Sequence, residues 1–383
     1  MGGPTFYEFF AGGGMARAGL GPRWRCLFAN DFDAAKARAY AQNWGDAHFR
    51  LEDIHKLTAD DLPGRADLVW ASFPCQDLSL AGAGRGLEGA RSGAFFGLAS
   101  LIAGLREQGR APKMLALENV VGLLTSNGGA DFVALCRALQ SLGYRFGALA
   151  MDAVHFTPQS RPRLFVVAVD RAMGLPPDCI APAPVAAWAS SALQRARDNL
   201  PADLAQDWLW WRLPPPPLRN MVLADLVEAA PRDVAWLDAD KTARLLDLMA
   251  PLHRARVEAA RASGKRMVGA LYRRTRRDAE GARVQRAEVR FDGVAGCLRT
   301  PAGGSSRQSL LVVEKGRIRA RLLSGREAAR LMGLPEDYRL PKGYTDAYHL
   351  LGDGVAAPVV RFLAQHLLEP LAGCPAAPLL AAE

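Results

Sequence analysis

The chain has 383 residues, half of them hydrophobic, with a net charge of +9 at neutral pH. That is enough apolar material for one large domain with a smaller one attached. No run of 18 apolar residues offers a membrane span, no basic leader opens the chain, and Phe6 stands where myristoylation prefers Ser or Thr. A soluble cytoplasmic protein is therefore the default. The six cysteines are scattered, with no CxxC pair and no Cys/His cluster, so neither a disulfide framework nor a metal site is expected.

From residue 5 to 170, short apolar runs alternate with helical stretches, the pattern of an α/β fold with a parallel sheet and crossover helices. Strands are predicted at 5–10, 25–30, 67–73, 114–118, 144–151 and 164–169, and helices at 33–43, 95–107 and 131–142. Beyond Val169 the rhythm breaks into a proline-rich stretch with Trp208, Trp210 and Trp211 ahead of four consecutive prolines, read as a rigid connector. Helical periodicity returns at 324–332 and 347–368, where the chain is expected to rejoin the first domain. The Ala/Pro-rich tail, 370–383, reads as loosely ordered.

The first strand runs into Phe10-Ala11-Gly12-Gly13-Gly14 and then a helical stretch, placing a glycine-rich turn at a helix start, where backbone can approach a ligand closely. Alone, this is equally a dinucleotide site or a plain tight turn. The second strand ends in Asn30-Asp31-Phe32-Asp33, where nucleotide-binding folds carry an acid for ribose hydroxyls. Asp31 is the candidate acceptor, and Phe32 offers a face to an adenine ring. Asp53, in Glu52-Asp53-Ile54, suits an exocyclic amine or, equally, a turn cap. These residues do not distinguish S-adenosylmethionine from a nicotinamide cofactor.

The third strand runs into Ser72-Phe73-Pro74-Cys75-Gln76, a thiol at the carboxyl end of a sheet strand behind a stiff proline. Small and polar residues follow, making 78–94 a loop that closes over a substrate. The next strand ends in Glu118-Asn119-Val120, bringing a carboxylate to the same sheet edge. Apolar surroundings would favour its neutral form, able to donate a proton, although ion pairing is an equal reading when the residue is taken alone. Gln159-Ser160-Arg161-Pro162-Arg163 adds two guanidinium groups before the last strand.

The positive charge is unevenly placed. Residues 253–321 hold 18 Lys/Arg against 6 Asp/Glu, leaving 30 basic and 33 acidic residues elsewhere. The densest run, Tyr272-Arg273-Arg274-Thr275-Arg276-Arg277, suits phosphate contact, although a charge run taken alone is more often a solvated loop.

Taken in order, FAGGG, NDFD, FPCQ, ENV, QSRPR, RLLSGRE and GDGV, spread from residue 10 to 355, resemble the motif series of the bacterial DNA cytosine-5 methyltransferases. The resemblance implies a Rossmann-like S-adenosylmethionine-dependent methyltransferase sheet with a second, smaller target-recognition domain. Residues 1–170 and 320–369 would form the catalytic and cofactor-binding domain and 171–319 the recognition domain. It implies that Cys75 attacks carbon 6 of a cytosine, that Glu118 holds or protonates N3, and that Arg163, supported by Arg161, binds the O2 side. It assigns S-adenosylmethionine to Phe10, Ala11, Gly12, Gly13, Gly14, Asp31, Phe32, Asp53, Ile54, Pro74, Asp353 and Val355. Double-stranded DNA, its target base rotated out of the stack, would meet Ser79, Arg85, Arg91, Arg273, Arg274, Arg276, Arg277, Arg299 and Thr300. A monomer is implied, with any companion restriction endonuclease acting separately.

Three residues depart from the family's common forms: Met15 replaces a glycine, Gly325 a proline and Asp353 an asparagine. Transfer RNA as substrate and a catalytically inactive DNA-binding relative are the alternatives. A large insert argues against the first, and intact Cys75 and Glu118 against the second. A nicotinamide dehydrogenase would leave Pro74-Cys75-Gln76 unexplained.

Overall fold

The computed structural model describes residues 2–74, 93–277, 281–300 and 307–374. It forms two compact units, one of residues 1–152, 162–216 and 357–383, the other of 153–161 and 217–356. No helix among the described residues is long and apolar enough to cross a membrane.

The first unit is built on β1 (Thr5–Phe9), α1 (Met15–Leu20), β2 (Arg25–Asp31), α2 (Ala34–Trp44), β3 (Phe49–Leu51), β4 (Leu68–Ala71), α3 (Ala94–Glu107), β5 (Met114–Val120), α4 (Ala130–Ser141), β6 (Tyr144–Asp152) and β7 (Pro162–Asp170). Local chemistry sets these bounds. Asp33 caps α2 by accepting from the N–H groups of Ala35 and Lys36, and Gly45 closes it at φ 75°. Helix α3, predicted as 95–107 after a loop ending at Ala94, begins at Ala94 and buries Phe95, Phe96, Leu98, Leu101, Ile102 and Leu105.

The sheet order is β3-β2-β1-β4-β5-β7-β6. The five strands from β3 to β5 are parallel, but β7 runs antiparallel to both β5 and β6. The parallel pattern gives way here for a geometric reason: only 153–161 join β6 to β7, too few residues for a crossover helix. The strand order reverses between β1 and β4, so their carboxyl ends flank the crevice where open α/β sheets take ligands.

Residues 171–216, expected to open the recognition domain, belong to the first unit. Strands β8 (Ile180–Ala181) and β9 (Trp210–Trp211) form a ribbon, and Trp208 packs edge-on against Phe132 and Phe146. The tryptophans thus bury apolar surface of the main core rather than linking domains.

The second unit contains α5 (Ala239–Asp247), α6 (Pro251–Ala262), the strands β10 (Met267–Arg277), β11 (Arg283–Arg290), β12 (Ser309–Glu314) and β13 (Arg317–Leu322), then α7 (Gly325–Leu331) and α8 (Tyr344–Asp353). Its antiparallel sheet, β11-β10-β12-β13, packs Leu271, Val289, Leu311 and Ala320 against Leu245, Met249 and Val257. Residues 320–356 stay with this unit instead of rejoining the first. A fully buried pair of Arg321 and Glu327 joins β13 to α7, with Ser324 capping the helix and Arg321 also donating to the Glu228 carbonyl. Gly325 is explained here: its N–H donates to Asp233 at 2.7 Å, a bond that proline cannot make. The chain returns to the first unit with α9 (Ala357–Leu363), whose Val360 lies where a side chain on Gly19 of α1 would be.

Candidate active site

Register aligns the carboxyl edge of the first unit's sheet. Phe9 of β1 pairs with Ala71 of β4, Ala71 with Leu117 of β5, and Val120 of β5 with Arg163 of β7. The glycine turn, the segment Ser72 to Pro74, Glu118 and Arg163 therefore emerge side by side, with about 4.8 Å between neighbouring strands.

At the β1–β2 end, Phe10, Gly12 and Gly14 all take positive φ, at 55°, 55° and 75°. Phe10 is the costly member, since a side chain disfavours that region. The turn is held from several sides. Asp31 accepts the Gly12 N–H at 2.9 Å and the Asp33 N–H at 2.9 Å, while Ala11 donates to the Asn30 carbonyl. Trp44 donates its indole N–H to the Gly13 carbonyl at 3.0 Å, and its ring fills the space beside Gly14, where a Cβ would come within 2.3 Å. Met15, the first departure, is buried at the start of α1.

The residues here suit an adenosine-like ligand. Phe32 is 73% exposed, an apolar ring presented at the strand end, and Leu51, aligned with Asp31 across β3, adds a second exposed apolar surface. Each Asp31 oxygen, although only 5% of the residue is exposed, keeps a lone pair beyond its backbone bond, and burial pushes its carboxyl pKa up. Asp53 spends Oδ1 on capping a short helical turn through the His55 N–H, with Ile54 buried behind it. The capping and binding readings of Asp53 are compatible.

Beneath the turn lies a group that neither composition nor motif singles out. Glu8 of β1 is almost wholly buried, accepts the Arg17 N–H through Oε1, and has no partner for Oε2 among the described residues. Desolvation pushes its pKa up to about 8.

At the β5–β7 end, Arg163 Nε lies 3.0 Å from Glu118 Oε1, with both side chains largely buried. Antiparallel pairing makes this contact: Arg163 sits opposite Val120, and Glu118, two residues back, shares that face. Of the two readings of Glu118, burial among apolar residues and ion pairing, the second is met by this guanidinium in a largely buried setting. Asn119, facing the other way, donates at 3.0 Å to the Phe73 carbonyl in a buried bond, and so fixes the backbone two residues before Cys75. Pro74 is exposed at the end of that segment. Cys75, Ser79, Arg85 and Arg91 lie outside the described residues.

Other predicted residues belong to the second unit. Arg161, 2% exposed, donates to the carbonyls of Leu298 (2.8 Å), Gly352 (2.8 Å) and Gly354 (2.6 Å). That makes it a positioning residue rather than one aimed at a reacting atom. Asp353 accepts from the Thr300 hydroxyl, Val355 is buried, and Arg299 is exposed.

The four-arginine run divides between two faces of its hairpin. Arg274 and Arg276 point with Tyr272 to one face, where Arg286 lies directly opposite Arg274. Glu288 on that face pairs with Arg276 at 2.6 Å and Arg274 at 3.6 Å, and Arg276 holds its carboxyl below the usual range. Arg273 and Arg277 point to the opposite face, the side on which Leu271 packs into the core. A single patch of four is thus corrected to two pairs by the two-residue period of a strand.

Asn119 and Trp44 act through backbone carbonyls and were missed as site residues. The ENV triplet at a strand end was a usable signal for Asn119; nothing in composition marks Trp44.

Compared with known proteins, residues 4–369 match the family model for C-5 cytosine-specific DNA methylase. The Type II methyltransferase M1.ScrFI of Lactococcus lactis subsp. cremoris is 26% identical over 95% of this chain and 78% of that protein. Type II methyltransferase M.DsaV of Dactylococcopsis salina is 27% identical over 95% and 86%. Among solved structures, the S. pombe Dnmt2 methyltransferase matches with a TM-score of 0.56 at 17% identity, covering 96% of this chain and 99% of that one. The Entamoeba histolytica methyltransferase EhMeth matches at 0.54 and 13% identity, covering 97% and 98%.

Proposed function

The chain belongs to the C-5 cytosine-specific DNA methylase family, and from that premise we propose that it methylates carbon 5 of a cytosine turned out of duplex DNA, with S-adenosylmethionine as donor and Cys75 as covalent nucleophile. The observation that carries the residue assignment is the Glu118–Arg163 pair, 3.0 Å apart at the sheet edge beside the segment that leads into Cys75.

In this reading Phe32 stacks on the adenine, Asp31 accepts ribose hydroxyls, Asp53 accepts the adenine amine through its remaining oxygen, and the glycine turn admits the rest of the cofactor. The bound donor supplies an electrophilic methyl group on a sulfonium. Cys75 thiolate forms a bond to carbon 6, while Glu118 donates a hydrogen bond or proton to N3, so that the electron pair displaced from the ring double bond makes carbon 5 nucleophilic. Arg163 holds O2 and stabilises the charge that grows there. Once carbon 5 carries the methyl, loss of its proton returns the electron pair to the ring and expels Cys75. The arginine face of the β10–β11 hairpin contributes phosphate contacts.

The test is covalent. Duplex DNA carrying 5-fluorocytosine lacks the proton whose loss frees the enzyme, so it should be trapped on the protein when S-adenosylmethionine is present. Cys75→Ser should give no trapped complex, and trapping by that variant would falsify the mechanism. The same assay run with RNA separates the two substrate classes.

A further inference from the structure

The face of α5 that turns toward the sheet of the second unit is not wholly apolar. Lys241, Arg244, Leu245 and Leu248 recur at the i, i+3, i+4 and i+7 spacing of one helical face, with Leu248 just past the helix end. Leu245 is in the core and Leu248 packs against it, so the two cations stand where a core-facing stripe ordinarily carries apolar residues. The sheet repeats the pattern. Arg273 is two residues from Leu271 on β10 and shares its core-facing side.

Between these elements lies a hollow of about 460 Å³, far larger than the voids a packed interior leaves and within the size of small-ligand sites. Leu237, Leu245, Leu248, Ala320 and Leu322 give it an apolar wall, while Lys241, Arg244 and Arg273, all exposed, bring positive charge to it from two elements. No acid lines it among the described residues. Lys241 pairs with Asp238 at 2.9 Å, and Arg321, buried in the lining, is matched by Glu327. A long cation covering the edge of a core is ordinary snorkelling. Three around one hollow repel each other until an anion joins them. No aromatic ring lines the hollow among the described residues, so its walls offer a nucleotide base nothing to stack on.

We propose that this hollow binds a single-chain anionic amphiphile, an aliphatic carboxylate whose chain lies on the leucines and whose head group meets Lys241, Arg244 and Arg273. The Ser309 hydroxyl, also in the lining, supplies a further donor. The lining includes none of the residues proposed to hold cytosine or the cofactor.

Calorimetric titration of the full chain with octanoate and decanoate, both below micelle-forming concentrations, reads the site. Decanoate should bind about fifteenfold tighter than octanoate, about fourfold for each buried methylene. Decanol, with the chain but no charge, and inorganic phosphate, with the charge but no chain, should each bind about tenfold weaker than decanoate or less tightly still. Arg244→Gln should weaken decanoate about fivefold and leave decanol unchanged, and Arg244→Lys should restore most of the loss. Decanoate should also raise Tm, since a ligand of the folded state stabilises it, whereas a surfactant that prefers the unfolded chain lowers it. Equal affinity for octanoate and decanoate, decanol as tight as decanoate, no loss in Arg244→Gln, or a lowered Tm overturns the proposal. Displacement of decanoate by excess duplex DNA also overturns it, because the hollow would then belong to the DNA interface.

Discussion

The carboxyl edge of the first unit and the arginine hairpin of the second both gather polar residues, but hold them in opposite ways. At the edge, side chains are buried and tied to backbone: Asp31 to two N–H groups, Asn119 to the Phe73 carbonyl, Trp44 to the Gly13 carbonyl. On the hairpin, Arg274, Arg276 and Arg277 are exposed, and among the described residues the ion pairs of the first two are to one acid, Glu288. The difference matches the tasks. Chemistry needs atoms held to fractions of an ångström, while phosphate attraction is long-ranged and tolerates mobile side chains. Substitutions at the edge should therefore act steeply and singly, and those on the hairpin weakly and in sum.

The sharpest break of that contrast lies at Glu118. Glu118→Gln keeps the shape and a hydrogen bond but removes the acid, and should lower kcat by about 10²–10⁴-fold, the usual contribution of a positioned acid. Single-turnover methylation of duplex DNA checks it; a loss under tenfold would mean that N3 is not its target. Next comes Glu8, buried under the glycine turn. Its folded pKa of about 8 lies above the ordinary 4.5, so between these values the native state binds more protons than the unfolded one, and stability falls as pH rises. The effect is on the order of a few kcal/mol over that range. Chemical denaturation of Glu8→Gln from pH 5 to 8 should show this slope removed, and an unchanged slope would assign it to other groups.

How far the sequence reached follows the same contrast. Strands β1, β2, β5 and β6 fall within two residues of the predicted bounds, because apolar runs were punctuated by Gly, Asp and Asn at the sheet edge. The direction of β7 was not legible, since it depends on where nine linking residues let the chain go rather than on its own composition. Arg161 and Arg163 read alike in QSRPR, yet β7 begins at Pro162, which leaves Arg161 off the strand and in the other unit. The compact units depart from the expected bounds where buried partners decide them: Trp208 inside the main core, and Arg321 with Glu327 inside the second. A charge count located the hairpin but could not see its two faces, since period-2 alternation becomes informative only once the segment is known to be a strand.

Asn119 offers a smaller test of the edge. Asn119→Ala removes the buried donor to Phe73 and loosens the backbone ahead of Cys75, without touching the residues proposed to hold the cofactor. The turnover should fall by about 10- to 100-fold through lost positioning, with S-adenosylhomocysteine affinity unchanged. Asn119→Asp, which lacks the N–H donor, should resemble Ala; recovery by Asp would show that polarity rather than donation matters.

The hairpin should give the mildest response, and one that its geometry divides. Log affinity for duplex DNA falls with log salt concentration by about 0.9 per phosphate neutralised. If the Tyr272 face meets DNA, Arg274→Ala and Arg286→Ala together should reduce the slope by about two, because these cations stand opposite each other, with Glu288 the acid paired with Arg274 among the described residues. Like charges in direct register are unfavourable until an anion bridges them, which is itself a reason to expect phosphate there. Arg273→Ala and Arg277→Ala, on the opposite face, should leave the slope nearly unchanged, although Arg277 also donates to the Gly281 carbonyl near the hairpin end. Equal losses from the two pairs would mean that the hairpin acts as a diffuse cation. A loss confined to Arg273 and Arg277 would turn the interface to the other side of the sheet.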